Sequence, residues 1–251
     1  MTRNYDIKIA YHLDDYIELG VANPVMVNMA LGVNSHCLIS GMSGSGKSYF
    51  ELQLLCRLIK ADENSRLYFA DYKGDDTFDF LHGCQRYYSY HDTLDGFNEV
   101  YGIMQKRMSG EDESRNQVTL IWDEYVANIL ALQERDNKLA KKVMGQVSEV
   151  LLLGRSKGVR LICTCQRPDA NVFPQGSRLN YGVIVILGAP LKSILEMLLP
   201  SSEYIDMTES RTFKQGEGIL LLQSTEMTFI KVPTIRNMDA LKTVCMKGLS
   251  G

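Results

Sequence analysis

Short apolar runs alternate along the chain with longer stretches that have helical periodicity. Apolar runs bounded by polar residues predict buried strands at residues 37–39, 66–71, 118–122, 159–165 and 183–187. Between the first two, apolar residues recur three and four positions apart at Phe50, Leu54, Leu55, Leu58 and Ile59, which predicts a helix. This alternation favours an α/β fold, with a mainly parallel sheet flanked by helices.

Further elements are predicted at both ends of the chain and between the strands. The first residues predict edge strands at 5–10, 16–19 and 25–28. Helical patterns extend over 76–81, 92–108 and 126–157, and residues 218–223 with 227–232 predict a C-terminal hairpin. The sequence therefore predicts a parallel core with β structure added at both ends.

Composition narrows the class of protein. The 251 residues are 45% hydrophobic and 23% charged, as in a soluble globular protein. The apolar runs are shorter than the ~20 residues needed to cross a bilayer, and early charges interrupt any signal-peptide pattern. We therefore expect a cytoplasmic protein.

The six cysteines lack metal-ligand spacing, which favours reduced thiols in the core. The net charge of −3 is not typical of a freestanding nucleic-acid binder, although a ring would multiply a few basic residues.

The most informative motif lies at residues 38–48, which read Leu-Ile-Ser-Gly-Met-Ser-Gly-Ser-Gly-Lys-Ser. The glycines let successive backbone N–H groups point at phosphates, and the following helix presents its positive N-terminus. Lys47 would place its charge on the β- and γ-phosphates, and Ser48 would offer a hydroxyl to Mg²⁺. This spacing predicts a nucleotide-binding loop for ATP. The residues expected to bind the nucleotide are Gly41, Ser43, Gly44, Ser45, Gly46, Lys47, Ser48 and Tyr49.

Polar residues follow two other predicted strands, where ligands bind in α/β sheets. Asp123 follows the predicted strand 118–122, in which four of the five residues are apolar, and is expected to hold Mg²⁺ together with Ser48. Glu124 is placed to orient and deprotonate an attacking water. Gln166 ends the next strand, where its amide would sense the γ-phosphate or that water; alternatively it caps the strand. Because an acid next to water suits hydrolysis, these residues favour an ATP hydrolase over a small-molecule kinase.

Several motifs in order resemble the FtsK/SpoIIIE branch of the HerA–FtsK ATPases, the ring motors that pump DNA. The phosphate-binding loop is preceded by His36, as in that family, and Asp71-Tyr72-Lys73-Gly74 is similar to its Asp-Pro-Lys-Gly. Trp122-Asp123-Glu124-Tyr125 matches its Asp-Glu-Phe/Tyr motif. Residues 154–168, which end in Gln-Arg-Pro, and Gly216-Glu217-Gly218 complete the series. The resemblance spans about residues 18–232.

The resemblance implies a RecA-like core that forms a homo-oligomeric ring, a hexamer in this family, with ATP between subunits and DNA in the central channel. It implies residues 1–34 as an N-terminal β segment, 35–232 as the P-loop ATPase domain and 233–251 as a tail, close to a bare motor domain. Arg155 and Arg178 are the candidates for an arginine that reaches a γ-phosphate; either could instead form a surface ion pair. DNA would be contacted through its phosphates, independently of sequence. A relaxase or membrane anchor supplied by another chain would be a further partner and would recruit the protein to the membrane.

Contact with DNA is the open part of this hypothesis. A basic cluster could meet phosphates in a pore, but nearby Glu134 and Asp136 also fit a solvated helix face. The cluster consists of Arg135, Lys138, Lys141 and Lys142.

Three functions remain open at this stage. The first is a DNA translocase that transfers the DNA of a mobile element, as in conjugation. The second is an ATPase that powers protein export of the type VII kind, and the third is a nucleotide-dependent assembly module with little turnover. The intact Asp123-Glu124 pair argues against the third.

Overall fold

The computed structural model describes residues 4–173 and 180–251. Within these residues the strands form one ten-stranded sheet with the order β2-β1-β10-β9-β8-β3-β7-β6-β4-β5. The strands are β1 (Asp6–His12), β2 (Pro24–Asn28), β3 (Cys37–Gly41), β4 (Arg66–Asp71), β5 (Tyr87–Ser89), β6 (Val118–Asp123), β7 (Val159–Cys165), β8 (Val183–Leu187), β9 (Glu217–Leu222) and β10 (Glu226–Lys231).

Helices cover both faces of this sheet. They are α1 (Leu13–Glu18), α2 (Lys47–Ala61), α3 (Thr93–Ser109), α4 (Tyr125–Arg135), α5 (Asn137–Leu153), α6 (Lys192–Leu198), α7 (Ser202–Glu209) and α8 (Met238–Ser250). Short 3₁₀ helices occur at Asp76–Leu81, Tyr90–Asp92 and Gly154–Lys157. None of the helices in residues 4–173 and 180–251 is long and apolar enough to span a lipid bilayer.

The centre of the sheet is parallel and one side of it is antiparallel. Strands β8, β3, β7, β6, β4 and β5 run in the same direction, each paired in parallel with its neighbour. The hairpin of β9 and β10 pairs antiparallel with β8, and β1 and β2 continue the sheet beyond β10. The predicted α/β fold, with an N-terminal β segment and a C-terminal hairpin, is confirmed.

The core lies in two layers because successive residues of a strand point to opposite faces. In β3, Leu38 packs with the apolar residues under α3, α4 and α5, whereas Cys37 and Ile39 pack with those of α2 and α8. All six cysteines are buried and free, as predicted. The central parallel strands are therefore enclosed on both sides, and their carboxyl ends form one edge where polar residues gather.

Several segments differ from the predictions. Residues 16–19 do not form a strand, because the helix α1 begins at Leu13 and includes residues 16–18. The negative charges of Asp14 and Asp15 in its first turn stabilise the helix by interacting with its positive N-terminus. The predicted helix over 126–157 breaks at Asp136, whose carboxylate accepts a hydrogen bond from Leu139 N at 2.9 Å and so starts α5. Helices α6 and α7 were not predicted.

Residues 233–251, expected to be a tail, contain α8. This helix packs along α2, and Gly248 permits the approach, because a Cβ there would overlap the side chain of Ile59. The division of the chain at residues 34 and 232 stays a prediction, since β1, β2 and α8 all pack on the same sheet.

Candidate active site

The loop between β3 and α2 has the backbone that phosphate binding requires. Gly44 and Gly46 have φ angles of +80° and +94°, which residues with a side chain rarely adopt. Gly46 caps α2 without a side-chain hydrogen bond, so the first N–H groups of the helix are free of a capping side chain. A helix N-terminus of this kind attracts anions.

Two close contacts shape the loop from behind. A Cβ on Gly41 would lie 2.5 Å from Ser45 Oγ and 3.1 Å from the carbonyl oxygen of Leu187, so a larger residue there would displace the loop or the end of β8. On the other side, Gly216 N donates a hydrogen bond of 2.8 Å to Ser45 O. The turn before β9 therefore holds the loop, which is a structural reason for the Gly-Glu-Gly motif at residues 216–218.

A cleft of about 210 Å³ opens over this loop at the carboxyl edge of the sheet. Of the residues predicted to bind or act on a nucleotide, Ser43, Gly44, Gly46, Lys47, Ser48, Tyr49, Glu124 and Gln166 line it. Met42, Lys73, Asp75, Thr77 and Gln215 complete the lining. Gly41 and Ser45 shape the loop without lining the cleft. The cleft thus brings together the lysine, one of the two acids and the glutamine that the sequence placed on separate segments.

Lys47 is held by carboxylates from two elements. Its Nζ lies 2.9 Å from Asp123 Oδ1, 3.0 Å from Glu124 Oε1 and 3.5 Å from Glu51 Oε1. Burial disfavours the ammonium, but these acids outweigh it and raise the pKa of Lys47 above its ordinary value. Lys47 is therefore charged at neutral pH.

Asp123 does not line the cleft and is buried at the end of β6. Its Oδ1 accepts a hydrogen bond of 2.7 Å from Thr164 Oγ1 of β7, in addition to the contact with Lys47. Thr164 Oγ1 also accepts a hydrogen bond of 3.2 Å from Glu124 N. Thr164 thus organises both acids. Sequence reasoning missed it, although it lies two residues before Gln166 in the motif.

Glu124 has a strained backbone. Its φ and ψ are +50° and +41°, in the left-handed region, at the residue that caps α4. Such a conformation costs about 1–3 kcal/mol in a residue with a side chain and is concentrated at functional sites. Here it turns the chain sharply after β6 and places the Glu124 carboxylate at the wall of the cleft.

Ser48 has an acidic partner that the sequence did not indicate. Its hydroxyl donates a hydrogen bond of 3.1 Å to Asp75 Oδ2, which also lies 3.1 Å from Lys73 Nζ. Burial opposes ionisation of Asp75, but hydrogen bonds from Thr77, Lys73 and Ser48 lower its pKa to about 2. Asp75 follows the Asp-Tyr-Lys-Gly motif, which could have drawn attention to it.

Gln166 and Gln215 approach the cleft from different strands. The backbone carbonyl of Gln166 accepts a hydrogen bond of 3.3 Å from Ser40 Oγ, which fixes the end of β7 beside β3. Gln215 precedes the turn that binds the loop and was not predicted. The roles assigned to Gln166 and to the other site residues stay predictions.

The two candidate arginines are not in this cleft. Arg155 lies in the 3₁₀ helix before β7, at the amino end of that strand, where its Nη2 donates a hydrogen bond of 2.6 Å to Gly32 O. The cleft lies beyond the other end of β7, roughly 20 Å away for a strand of this length. Arg178 lies outside the described residues. Action of Arg155 on the nucleotide of a neighbouring subunit stays a prediction.

The residues present fit a nucleoside triphosphate and a divalent cation. A Cβ on Gly46 would lie 3.3 Å from Gly216 N, so the glycine lets the loop pack closely against the backbone of the turn before β9. The Ser48 hydroxyl and the carboxylates of Asp123 and Asp75 are the hard oxygen donors that Mg²⁺ prefers. Lys47 supplies the positive charge that a phosphate needs.

No protein-family model matches the chain. A curated protein does: the FtsK domain-containing protein YdcQ of Bacillus subtilis (strain 168) is 28% identical over 205 residues. The match covers 73% of this chain and 41% of YdcQ. The chain therefore corresponds to less than half the length of this relative.

Solved structures share the fold at low sequence identity. The pCW3 conjugation coupling protein TcpA, a monomer form with ATPγS, has a TM-score of 0.71 and 20% identity over 97% of this chain and 75% of its own. The cytoplasmic domain of the type VII secretion ATPase EccC of Thermomonospora curvata has a TM-score of 0.70 and 18% identity over 100% of this chain and 32% of its own. The genome packaging NTPase B204 of Sulfolobus turreted icosahedral virus 2, with AMPPCP, has a TM-score of 0.54 and 17% identity over 80% of this chain and 98% of its own. The resemblance that the motifs indicate is therefore confirmed: in sequence the chain is similar to an FtsK domain-containing protein, and it shares its fold with a conjugation coupling protein, a type VII secretion ATPase and a genome packaging NTPase.

Proposed function

We propose that the protein is an ATPase that hydrolyses ATP at the cleft over the Gly41–Ser48 loop. The observation that carries this proposal is the convergence of Lys47, Ser48, Glu124 and Gln166 on one cleft. Lys47 and the backbone amides of the loop bind the β- and γ-phosphates. Ser48 and Asp123 would hold Mg²⁺, which would supply positive charge to neutralise the phosphates. Glu124 orients a water and accepts its proton, and Gln166 donates a hydrogen bond to the γ-phosphate or to that water.

We propose DNA as the cargo of this ATPase. TcpA, which shares the fold, is a conjugation coupling protein, and YdcQ carries an FtsK domain. In this chain the basic residues 135, 138, 141 and 142 are exposed. Arg135 Nη1 lies 3.5 Å from His91 Nδ1, just after β5 ends, so this cluster begins at the same edge of the sheet as the cleft. Contacts there would be to phosphates and independent of sequence.

Assembly into a homo-oligomeric ring, a hexamer by resemblance, is part of the proposal. Arg155 is exposed and lies at the edge of the sheet opposite the cleft. In a ring, a neighbour's cleft can face that edge, which would allow Arg155 to stabilise charge on a γ-phosphate that its own chain cannot reach.

Protein export is the second candidate function. The likeness of the fold to the type VII secretion ATPase EccC is as close as that to TcpA, with TM-scores of 0.70 and 0.71. The cleft serves both functions equally, because hydrolysis of ATP does not depend on the cargo. The two therefore differ only in what stimulates turnover.

Turnover of ATP measured with and without single- and double-stranded DNA, at two salt concentrations, separates the candidates. A DNA motor is stimulated by DNA, and the stimulation falls as salt rises. Indifference to DNA with stimulation by a secretion-signal peptide would favour export. Absence of turnover under all of these conditions would contradict an ATPase and leave an assembly role.

The variant Glu124→Gln tests the chemistry. It should bind ATP and lose turnover by about 10²-fold or more, because the amide cannot accept a proton from water. Glu134→Gln, which removes an exposed acid on α4, is the matched control and should retain turnover. Unchanged hydrolysis in Glu124→Gln would remove this residue from the mechanism.

The triple variant of Lys138, Lys141 and Lys142 to alanine tests the DNA surface. If these lysines contact phosphates, each substitution should reduce the slope of log affinity against log salt by about 1. Lys106→Ala, an exposed lysine of α3, should leave the slope unchanged. An unchanged slope in the triple variant would support the solvated helix face instead.

A further inference from the structure

Glu51 is a buried acid that has no role in the proposed hydrolysis of ATP. It lies on α2 one turn after Lys47, is 0% exposed, and neither carboxylate oxygen has a hydrogen-bond partner in the described structure. Buried acids are normally paired or hydrogen-bonded, because desolvation of an isolated carboxylate is very unfavourable. The position of Glu51 therefore calls for an electrostatic explanation.

Lys47 supplies that explanation. Its Nζ lies 3.5 Å from Glu51 Oε1, as expected for positions i and i+4 on one helix face. Thr164 is also near, but its hydroxyl donates its proton to Asp123. Burial raises the pKa of the Glu51 carboxyl, Asp123 raises it further, and Lys47 is the cation that opposes the rise. Lys47 is thus the cation that favours the ionised form of Glu51.

The three carboxylates around Lys47 are not equivalent. Asp123 keeps the hydrogen bond from Thr164 if the lysine turns away. Glu124 lines the cleft, where water or a bound cation can approach it. Glu51 is sealed behind the loop and loses its one nearby cation among the described residues. Departure of Lys47 toward a phosphate is therefore opposed most strongly by Glu51.

We infer that Glu51 is a positioning residue that holds Lys47 on the acidic side of the site and so competes with the phosphates of a nucleotide for its ammonium group. This inference rests on the proposed nucleotide binding at the same loop. The competition weakens nucleotide binding and favours release of nucleotide, since the lysine has a second favourable position to return to.

The affinity of ATPγS, measured by calorimetry without turnover, tests the inference. Glu51→Gln keeps the shape and removes the charge, and should tighten binding about three- to tenfold. Glu51→Met introduces an apolar side chain of similar length and should also tighten ATPγS binding. It serves to show that the effect does not depend on the amide group of glutamine. Glu63→Gln, which removes an exposed acid just beyond α2, is the control of equal charge change and should have no effect.

A double-mutant cycle identifies Lys47 as the target. In a Lys47→Met background, Glu51→Gln should alter ATPγS affinity by less than about twofold, because there is no ammonium to compete for. In denaturation by urea without nucleotide, Glu51→Gln should raise the midpoint more in that background than in the wild type, since Lys47→Met leaves Glu51 without a cation. Equal increments in the two backgrounds would overturn the inference.

The remaining outcomes are also decisive. Weaker or unchanged ATPγS binding in both Glu51→Gln and Glu51→Met would overturn the inference about Glu51. Loss of folding in both variants would also overturn it, because the inference makes Glu51 dispensable for the fold. If the wild type does not bind ATPγS, the proposed function itself fails. If the wild type binds and is stimulated by DNA while Glu51→Gln has no effect, only the role of Glu51 fails.

Discussion

Thr164 Oγ1 lies 2.7 Å from Asp123 Oδ1, and this hydrogen bond joins two neighbouring parallel strands at the edge where the nucleotide is proposed to bind. The same hydroxyl accepts a hydrogen bond from Glu124 N at 3.2 Å. The buried Thr164 side chain thus orients both Asp123, which is proposed to bind Mg²⁺, and the backbone of Glu124, which is proposed to activate the attacking water.

Thr164→Val should therefore destabilise the protein and impair ATP turnover together. Valine has nearly the same shape but removes one hydrogen bond from the buried Asp123 carboxylate, which keeps its contact with Lys47, and leaves Glu124 N without its partner. Loss of a buried partner costs about 1–3 kcal/mol. The free energy of unfolding from urea titration measures the first effect. Thr228→Val on β10, away from the site, should change stability by much less. Similar stability in both variants would show that Thr164 is not the organising residue.

Gly218→Ala should destabilise the fold by several kcal/mol. Its Cβ would overlap the carbonyl oxygen of Ile186 in the neighbouring strand β8, and backbone atoms there cannot move without breaking the ladder. Gly102→Ala is the opposite case, because α3 leaves open space there and alanine stabilises a helix by about 0.5–1 kcal/mol relative to glycine. Thermal unfolding of both variants checks the contrast. Equal effects would contradict the close β8–β9 approach.

Asp75→Asn should reduce stability at neutral pH but not in acid. The pKa of Asp75 is lowered from 3.8 to about 2 in the folded protein. Its ionised form therefore stabilises the fold above pH 3.8, and this contribution is lost as the pH falls toward 2. The difference in unfolding free energy between wild type and variant, measured at several pH values, should shrink over that window. A difference that is independent of pH would contradict the assigned hydrogen bonds.

Tyr49→Ala should weaken nucleotide binding without affecting the fold. Tyr49 is 49% exposed and lines the cleft beside the loop, where its ring would be available to stack on a base. Loss of such stacking costs about 1–3 kcal/mol, which corresponds to roughly 5- to 150-fold in affinity. Titration with ATPγS measures this, and Tyr49→Phe should retain the affinity. Tyr16→Ala, an exposed tyrosine of α1, is the control. Equal affinity of Tyr49→Ala and the wild type would remove Tyr49 from the binding site.

The central strands were predicted from sequence because both of their faces are buried and each reads as a continuous apolar run. The predictions were wrong where a short segment has no such signal. Residues 16–18 lie in a helix of six residues and Leu19 follows its end, and the break between α4 and α5 depends on the Asp136 side chain. Both outcomes depend on packing and capping that a pattern of apolar positions does not contain.

The sequence by itself predicted the phosphate-binding loop and the acids at the end of β6, because both patterns depend on short spacings within one strand–loop unit. Only the tertiary structure decided which residues meet there. Thr164, Gln215, Asp75 and Glu51 enter the site through strand order and side-chain direction. Arg155 is excluded from its own cleft because it lies at the opposite edge of the sheet. Side chains that are distant in sequence come together only after the sheet has aligned the ends of its strands, so no local pattern encodes their contact.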